Sequence, residues 1–252
     1  MHLTCLSLTA AAFLFALPVA ASAQGTDNRP RAVVALFTSQ GCTSCPPADE
    51  MLGEMAQRDD VVALAYHVTY WDYLGWRDTL ATVENTSRQQ DYSRAFGERS
   101  VYTPQAIVNG RQQMNGAKRG HINSAISRLD NEHGGLNVDV RLSYDDGALT
   151  IETDASSHPV EDVQIVLVYF NPAPEVEIVR GRTSGRQFTY VNSVSQFHTV
   201  GMWSGKSTRM EIPLSEIARK GAGGCAVLLQ EMREGGLPGP ILGAAILDRP
   251  QI

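Results

Sequence analysis

The sequence predicts an α/β domain over residues 24–130, followed by an all-β, sandwich-like domain over residues 136–252. In the first part, two apolar stretches flank a helix-like segment, which is the pattern of a strand–helix–strand unit with buried parallel strands. After a polar, glycine-ended linker at 131–135, apolar and polar residues alternate, which is the period of half-buried strands. The change of period therefore divides the chain into two domains of different class.

Two cysteines lie where the first strand passes into the first helix. The apolar stretch 32–37 predicts the strand, and Cys42 and Cys45 follow it after a polar turn. A thiol at a helix N-terminus faces unpaired backbone N–H groups and the positive end of the helix dipole, which favour the thiolate. We therefore expect Cys42 to be the exposed nucleophile of a redox pair and Cys45 its more buried resolving thiol.

Two other roles of this cysteine pair are weighed against the redox role. A structural zinc ion needs further ligands, and the sequence contains no second Cys-x-x-Cys and no closely spaced histidine pair. A permanent disulfide over two intervening residues closes a very small loop and constrains the unfolded chain little. The sequence thus favours the redox role.

The next elements complete a strand–helix–strand unit. Pro46 and Pro47 fall in the first helical turn, where a missing N–H group has no cost, and Asp49 complements the helix dipole. The run 61–66 is continuously apolar, as in a buried parallel strand. A Cys-x-x-Cys motif at the first junction of such a unit is typical of thioredoxin-like redox proteins.

A proline introduces the next predicted strand, 101–108, which follows a predicted helix over 83–97. In a thioredoxin-like fold the proline at this place is cis and lies opposite the cysteine pair, and backbone groups of its neighbour bind an extended substrate. We therefore expect a cis bond between Thr103 and Pro104, with an ordinary trans bond as the alternative. The domain ends with a hairpin turn and a helix, at 109–110 and 118–129.

Four segments of this domain resemble a bacterial family of secreted thioredoxin-like proteins that is catalogued as a domain of unknown function. They are TSQGCTSCPPAD at 38–49, HVTYWDYLGWRD at 67–78, SRQQDYSRAFG at 87–97 and VYTPQAIVNG at 101–110. The resemblance implies a thioredoxin fold with an attached β domain, and it supplies no substrate.

The aromatic segment 66–76 leaves the second strand at the sheet edge that carries the cysteines, because parallel neighbouring strands end at the same edge. Tyr70 and Trp71 could line a substrate groove there or pack against the core. Asp72 is expected to orient this loop.

His67 lies at the end of the second predicted strand, on the side of the thiols. Three roles are open to it: a structural histidine bonded to the loop, a group that stabilises the Cys42 thiolate, or a metal ligand. Soft thiolates and an imidazole suit copper, so Cys42, Cys45 and His67 form an alternative Cu(I) site. Outside that alternative, no cofactor is expected.

The N-terminus predicts export. Residues 3–20 are almost wholly apolar and an A-x-A-type cleavage site follows, which predicts a signal peptide over 1–23. The protein is then periplasmic or secreted, with no membrane association after cleavage. The absence of Lys and Arg before the apolar stretch leaves a retained membrane anchor as the alternative. A net charge of −6 gives no reason to expect nucleic-acid binding.

We therefore expect an exported thiol–disulfide oxidoreductase that acts on thiols or disulfides of other proteins and works with a redox partner protein. The motif does not set the direction, although the acids Asp49 and Glu50 favour a reductase or isomerase over a strong oxidant. The alternatives are a copper-handling protein and a non-catalytic binding protein on a thioredoxin scaffold. The second domain is expected to position partners or substrates without taking part in the chemistry, and Cys225 to be a buried, inert thiol.

Overall fold

The computed structural model describes residues 29–132, 134–145, 147–219 and 223–248. The predicted signal peptide over 1–23 lies outside the described residues. Within these ranges, no helix combines the length and the apolar character that crossing a membrane requires.

Strands predominate over helices in the described ranges. The helices are α1 Pro46–Met55, α2 Val83–Ala95, α3 Arg119–Asn131 and α4 Leu214–Arg219. The strands are β1 Ala32–Thr38, β2 Val61–His67, β3 Gln105–Val108, β4 Gln112–Asn115, β5 Val140–Asp145, β6 Ala148–Thr153, β7 Val163–Asn171, β8 Glu175–Ile178, β9 Arg186–Thr189, β10 Ser193–Trp203, β11 Thr208–Pro213, β12 Gly224–Arg233 and β13 Leu237–Asp248. Short 3-10 turns lie at Asp72–Leu74 and Glu234–Gly236.

The strands form one large mixed sheet and two small sheets. The large sheet has eight strands in the order β13-β12-β7-β10-β2-β1-β3-β4. Within it β1, β2 and β10 run parallel to one another, and the other neighbours are antiparallel. The small sheets have the orders β11-β6-β5 and β8-β9.

The predicted fold class, an α/β thioredoxin-like domain followed by an all-β sandwich-like domain, is wrong. Strands from both halves of the chain form the same eight-stranded sheet, because β10 pairs with β2 where Ser193 lies opposite Ala65. Alternating residues predict strands but not the strand with which each one pairs, since any sheet edge offers the same backbone groups. The domain boundary at 131–135 stays a prediction.

Asn192 holds the two halves together at this pairing. Its side-chain amide donates to the Ala63 carbonyl over 2.9 Å, and its own carbonyl accepts from the Ala65 N–H over 3.0 Å. Its φ of 42° is left-handed, a conformation that asparagine adopts more readily than most residues. The chain therefore turns into β10 directly against β2.

A hydrophobic core shared by both halves lies on the face of the sheet that α2 covers. It packs buried aromatic rings of the first half against residues of the second, among them Phe37, Tyr66, Tyr92, Val166, Val168, Phe170, Ala226 and Leu228. A separate core lies under α1 and α3 on the opposite face. Because apolar burial contributes about 25 cal/mol per Å², separating the halves would remove stabilisation from both.

We predict that residues 24–133 expressed alone do not form a stable unit. The cut removes β10 from β2 and exposes the first half of the shared core. Far-UV circular dichroism with urea should then show no cooperative transition, whereas residues 24–252 should unfold cooperatively. A cooperative transition of the short fragment would show that the first half does not depend on this pairing.

Candidate functional site

Cys42 and Cys45 form a disulfide in the turn between β1 and α1, with Cα atoms 5.4 Å apart. Cys45 is the N-cap residue of α1, and a proline follows it at the helix start, as the sequence predicts. Cys45 is fully buried, and Cys42 is only 2% exposed. The expectation that Cys42 is exposed is therefore wrong for the disulfide form. A 3.1 Å hydrogen bond from the Cys42 N–H to the Ser39 carbonyl folds the turn back on the sheet edge.

Two features favour a thiolate on Cys42 once the disulfide is opened. The residue lies just before the N-terminus of α1, where the helix dipole stabilises negative charge. The Ser44 hydroxyl lies 3.4 Å from the Cys42 sulfur and can donate to a thiolate there. Thr43 and Ser44 are exposed, so this part of the turn meets the solvent.

The Thr103–Pro104 peptide bond is cis, which is the conformation expected from the sequence. Pro104 lies beside the start of α1: a Cβ atom on Gly116 would lie 3.3 Å from the side chains of both Pro104 and Ala48. The Gly116 N–H donates to the Pro104 carbonyl over 3.0 Å. The loop with the cis bond therefore adjoins the helix that Cys45 begins.

Trp71 joins the cysteine turn to this loop. Its indole Nε1 donates to Thr103 Oγ1 over 2.7 Å. Its Cβ packs on Gly41, where an added Cβ atom would lie 3.1 Å away. Trp71 also packs against the shared core, which is one of the two roles that the sequence left open, and the lining of a substrate groove stays a prediction. The side chain fixes the position of one loop relative to the other.

Tyr70 packs against the shared core, next to the loop with the cis bond. Burial raises the pKa of its hydroxyl to about 12, against the opposing effect of the neighbouring Gln89, Thr103 and Trp71 side chains. Gln89 of α2 donates to the Tyr102 carbonyl and to the Gln105 side chain, both over 2.8 Å. These bonds hold α2 against the residues that flank the cis bond.

Asp72 orients the loop that leads from β2 towards α2, as expected. Its carboxylate accepts from the Asp78 N–H over 3.1 Å. The Asp78 carboxylate in turn accepts from the Gln40 N–H at 2.8 Å and from the Leu80 N–H at 2.9 Å. It also binds His67 Nδ1 over 2.9 Å, so the loop places an acid directly beneath the cysteine turn.

His67 and Asp78 form a buried pair. Burial opposes the ionisation of Asp78, but His67 and the backbone N–H donors outweigh it, so the pKa of Asp78 is lowered. With Nδ1–H donating to this carboxylate, the imidazole Nε2 is left as an acceptor, and it has no partner in the described part of the chain. Of the roles weighed for His67, this geometry favours the structural histidine bonded to the loop.

The alternative Cu(I) site is not assembled in this structure. Cys42 and Cys45 are bonded to each other, and His67 is bonded to Asp78. In the ranges that the structure describes, no three His, Cys, Asp or Glu side chains are grouped so as to hold a metal ion. Copper binding by the reduced protein stays a prediction from the sequence.

Asp49 places a second acid beside the cysteine turn. Asp49 is half-buried, and burial raises the pKa of its carboxyl to about 7 against the opposing 2.7 Å hydrogen bond from Thr38 Oγ1. Asp49 lies one helical turn after Cys45, with its N–H donating to the Cys45 carbonyl over 3.1 Å. Residues at this spacing share a helix face. The site therefore holds a carboxyl group that changes protonation near neutral pH on the side of Cys45.

The second half of the chain forms part of the wall of the site. Thr183 Oγ1 donates to the Gln40 carbonyl over 2.7 Å. The Tyr190 ring meets the His67 imidazole edge-on, with ring centroids 4.6 Å apart. Thr183 and Tyr190 are both buried. The second half, expected only to position partners or substrates, thus also contacts the residues beneath the disulfide.

Sequence reasoning missed four residues of this site, and it considered Asp49 only as a negative charge, at the helix N-terminus and near the thiols. Gln40 and Asp78 lie inside the segments 38–49 and 67–78, which carry the resemblance to the family, so that resemblance could have indicated them. Thr183 and Tyr190 had no such signal. The contact of Thr183 with Gln40 spans 143 positions of sequence, and no local pattern predicts a contact at that separation.

Comparisons with known proteins give a family and two related structures. A family model described as "Protein of unknown function (DUF1223)" matches residues 33–230. The crystal structure of protein AGR_C_4864 from Agrobacterium tumefaciens is 43% identical, with a TM-score of 0.81, over 89% of this chain and 96% of that chain. HBP35 of Porphyromonas gingivalis is 13% identical with a TM-score of 0.62, over 88% of this chain and 76% of that chain, which is a likeness of fold alone. No protein with a curated description matches the sequence.

We predict that Asp78→Asn lowers the free energy of unfolding by about 1–3 kcal/mol at neutral pH, because it weakens a buried hydrogen bond to a charged group. The folded-state pKa of Asp78 lies below its usual 3.8. Its stabilising contribution is therefore present above 3.8 and is lost as the pH falls through the folded-state value. Urea unfolding at several pH values should show the difference from wild type shrinking towards acid pH.

Asp59→Asn is the matched control, since Asp59 is exposed and lies on the opposite end of the strand–helix–strand unit. It should leave the free energy of unfolding unchanged. Equal stability of wild type and Asp78→Asn at neutral pH would contradict the proposed pairing with His67.

Proposed function

Because the chain belongs to the family of proteins of unknown function DUF1223, we propose its function from the site itself. The protein is an exported thiol–disulfide oxidoreductase. It uses Cys42 and Cys45 on thiols or disulfides of other proteins and works with a redox partner protein that restores the pair.

The observation that carries this proposal is the Cys42–Cys45 disulfide at the start of α1, one helical turn before the half-buried Asp49, whose carboxyl has a pKa near neutrality. A disulfide over two intervening residues constrains the unfolded chain little, so it makes a poor structural crosslink. A structural crosslink also needs no proton donor beside it. The arrangement suits a bond that is opened and closed.

The exchange chemistry needs only these groups and the substrate. A substrate thiolate attacks Cys42 Sγ, the bond to Cys45 breaks, and the Cys45 sulfur leaves with the electron pair. A second substrate thiolate then attacks the substrate sulfur of the mixed disulfide, which forms the substrate disulfide and releases Cys42 as a thiolate. Reduction of a substrate disulfide is the same sequence in reverse.

We assign to Asp49 the transfer of a proton to and from the buried sulfur of Cys45. Cys45 is fully buried, so its charge as a leaving thiolate is costly, and transfer of a proton from the Asp49 carboxyl removes that cost. A group with a pKa of about 7 is present in both forms at neutral pH, so it can donate in one direction and accept in the other.

Attack on Cys42 requires the turn to open, because the residue is only 2% exposed in the disulfide form. Thr43 and Ser44 are exposed and lie between the two cysteines, so they are the residues that a substrate meets first. We assign the binding of an extended substrate segment to the loop of Thr103 and Pro104. Trp71 holds that loop next to the turn.

We predict that Cys42→Ser abolishes insulin reduction and the refolding of a scrambled disulfide protein, because no sulfur remains for attack. Cys45→Ser should instead accumulate a mixed disulfide between Cys42 and the substrate, detected by mass spectrometry. Cys225→Ser is the matched control, since Cys225 is buried and outside the pair, and it should keep the activity.

Two outcomes would contradict the proposed function. Wild type and Cys42→Ser could be equally inactive, or alkylation could find that Cys42 and Cys45 never become thiols in a glutathione buffer. Cysteines that never become thiols would favour the non-catalytic binding protein, whereas equal inactivity would leave both that alternative and the copper-handling protein.

We predict that Asp49→Asn slows exchange by about 100-fold at pH 7, the size expected for loss of a general acid–base group. The exchange rate of the wild type should change with pH around 7, where Asp49 titrates. The rate of the variant should lack this change. Because the folded-state pKa of Asp49 is raised from 3.8 to about 7, the native state holds this proton more tightly than the unfolded state. The free energy of unfolding of the wild type should therefore decrease as the pH rises from 4 to 7. The variant should lack this decrease.

Glu50→Gln is the matched control for this variant, since Glu50 is the exposed acid next to Asp49 in α1. It should keep the exchange rate and move the pH profile only slightly towards acid, since the charge of Glu50 is the smallest of the causes that raise the pKa of Asp49. If the exchange rate of Asp49→Asn still changed with pH around 7, the titrating group would be a residue other than Asp49.

A further inference from the structure

A cavity of about 190 Å³ lies between α2 and strands β7, β10 and β12. It is therefore built from both halves of the chain, on the face of the sheet that the shared core occupies. Its mouth is formed by exposed residues of β10, His198 and Thr199. Its inner wall contains Arg88 of α2 and Gln230 of β12, which are both buried.

Arg88 is held in place by aromatic rings and one amide. Its Cζ atom lies 5.6, 5.3 and 5.0 Å from the ring centroids of Tyr66, Tyr92 and Phe197. Its Nη2 donates to Gln230 Oε1 over 2.7 Å. Gln230 is itself fixed, because its amide donates to the Tyr92 hydroxyl and to a backbone carbonyl. The guanidinium therefore has one defined position at the inner wall of the cavity.

The positive charge of Arg88 is not neutralised by the described residues. The side chain is only 8% exposed, yet none of the described ion pairs includes it. Its Nε is buried and has no hydrogen-bond partner in the described ranges. Asp91, one turn further along α2, is the acid whose field reaches Arg88, and its carboxylate is paired with Arg94.

A buried cation without a paired acid is unusual, because taking a charge out of water is costly unless an opposite charge accompanies it. Contacts with aromatic faces offset part of that cost but supply no negative charge. Here the cation borders a cavity that opens to solvent, so an anion can reach it. An anion that enters from outside can therefore pair with Arg88, which none of the described acids does.

We propose that this cavity binds a small carboxylate, with the carboxylate group against the Arg88 guanidinium. The planar fork of arginine matches a carboxylate in geometry and in charge. Val166, Phe197 and Pro238 give the cavity an apolar wall, which suits the hydrocarbon part of an aliphatic or aromatic acid. Asp91 also lines the cavity, so a ligand with a single negative charge fits better than one with two.

This site is separate from the cysteine pair and does not depend on the proposed redox function. None of the residues that line the cavity belongs to the cysteine turn or to the loop with the cis bond. Binding can therefore be measured on the protein with its disulfide intact, and its failure would say nothing about disulfide exchange.

The test is isothermal titration of the protein with benzoate and with butyrate in a buffer of low chloride concentration. We expect saturable binding of benzoate at one site. Benzamide, which has the same shape without the charge, should not bind, and inorganic phosphate should bind more weakly than benzoate. Absence of saturable benzoate binding, equal binding of benzamide, or tighter binding of phosphate would each overturn the proposal.

Three variants locate the site. Arg88→Gln should weaken benzoate binding by about 10- to 100-fold, the size expected for a hydrogen bond to a charged group. Thr199→Trp should block the mouth and abolish binding without touching Arg88, and it decides the question if Arg88→Gln does not fold. Arg233→Gln removes an arginine that also lies over an aromatic ring but does not line the cavity, so binding should be unchanged. Wild-type binding by Thr199→Trp would overturn the proposal.

Discussion

The pairing of β10 with β2 is the contact on which the rest of the structure depends. β2 has β1 on one side, and without β10 the backbone groups on its other side would form an open sheet edge. Asn192 fixes the start of this pairing through its bonds to Ala63 and Ala65. The same junction brings Thr183 and Tyr190 against the residues beneath the disulfide, and it closes the hydrophobic core that both halves share.

Asp78 and Asp49, the two aspartates near the cysteine turn, differ in pKa because their hydrogen-bond partners differ. Asp78 has the imidazole of His67 and two backbone N–H donors, which favour its ionised form and lower its pKa. Among the described residues, Asp49 accepts from the hydroxyl of Thr38, and this bond and the charge of His67 do not offset its burial, so its pKa rises to about 7. One acid is thereby a fixed structural charge, and the other, one helical turn after Cys45, has a pKa near neutrality.

Helix α2 connects the two sites through consecutive residues. Gln89 holds the segment that flanks the cis bond, through the Tyr102 carbonyl and the Gln105 side chain. Arg88, the residue before Gln89, places its positive charge at the wall of the cavity between α2 and the strands of the second half. A single helix, begun by the Thr82 side chain that accepts from Asn85 N–H, therefore positions groups of both proposed sites.

The sequence by itself determined the local elements and the chemistry-bearing residues of the turn. The strand expected at 32–37 is β1, the helix expected at 83–97 is α2, and the bond before Pro104 is cis. Only the tertiary structure decided that β10 joins β2, that Cys42 is buried, and that burial raises the pKa of Asp49 to about 7. Strand period, capping and proline geometry act between residues a few positions apart, so they can be read along the chain. Strand pairing, burial and pKa depend on groups brought together across long sequence separations, which the linear pattern does not contain.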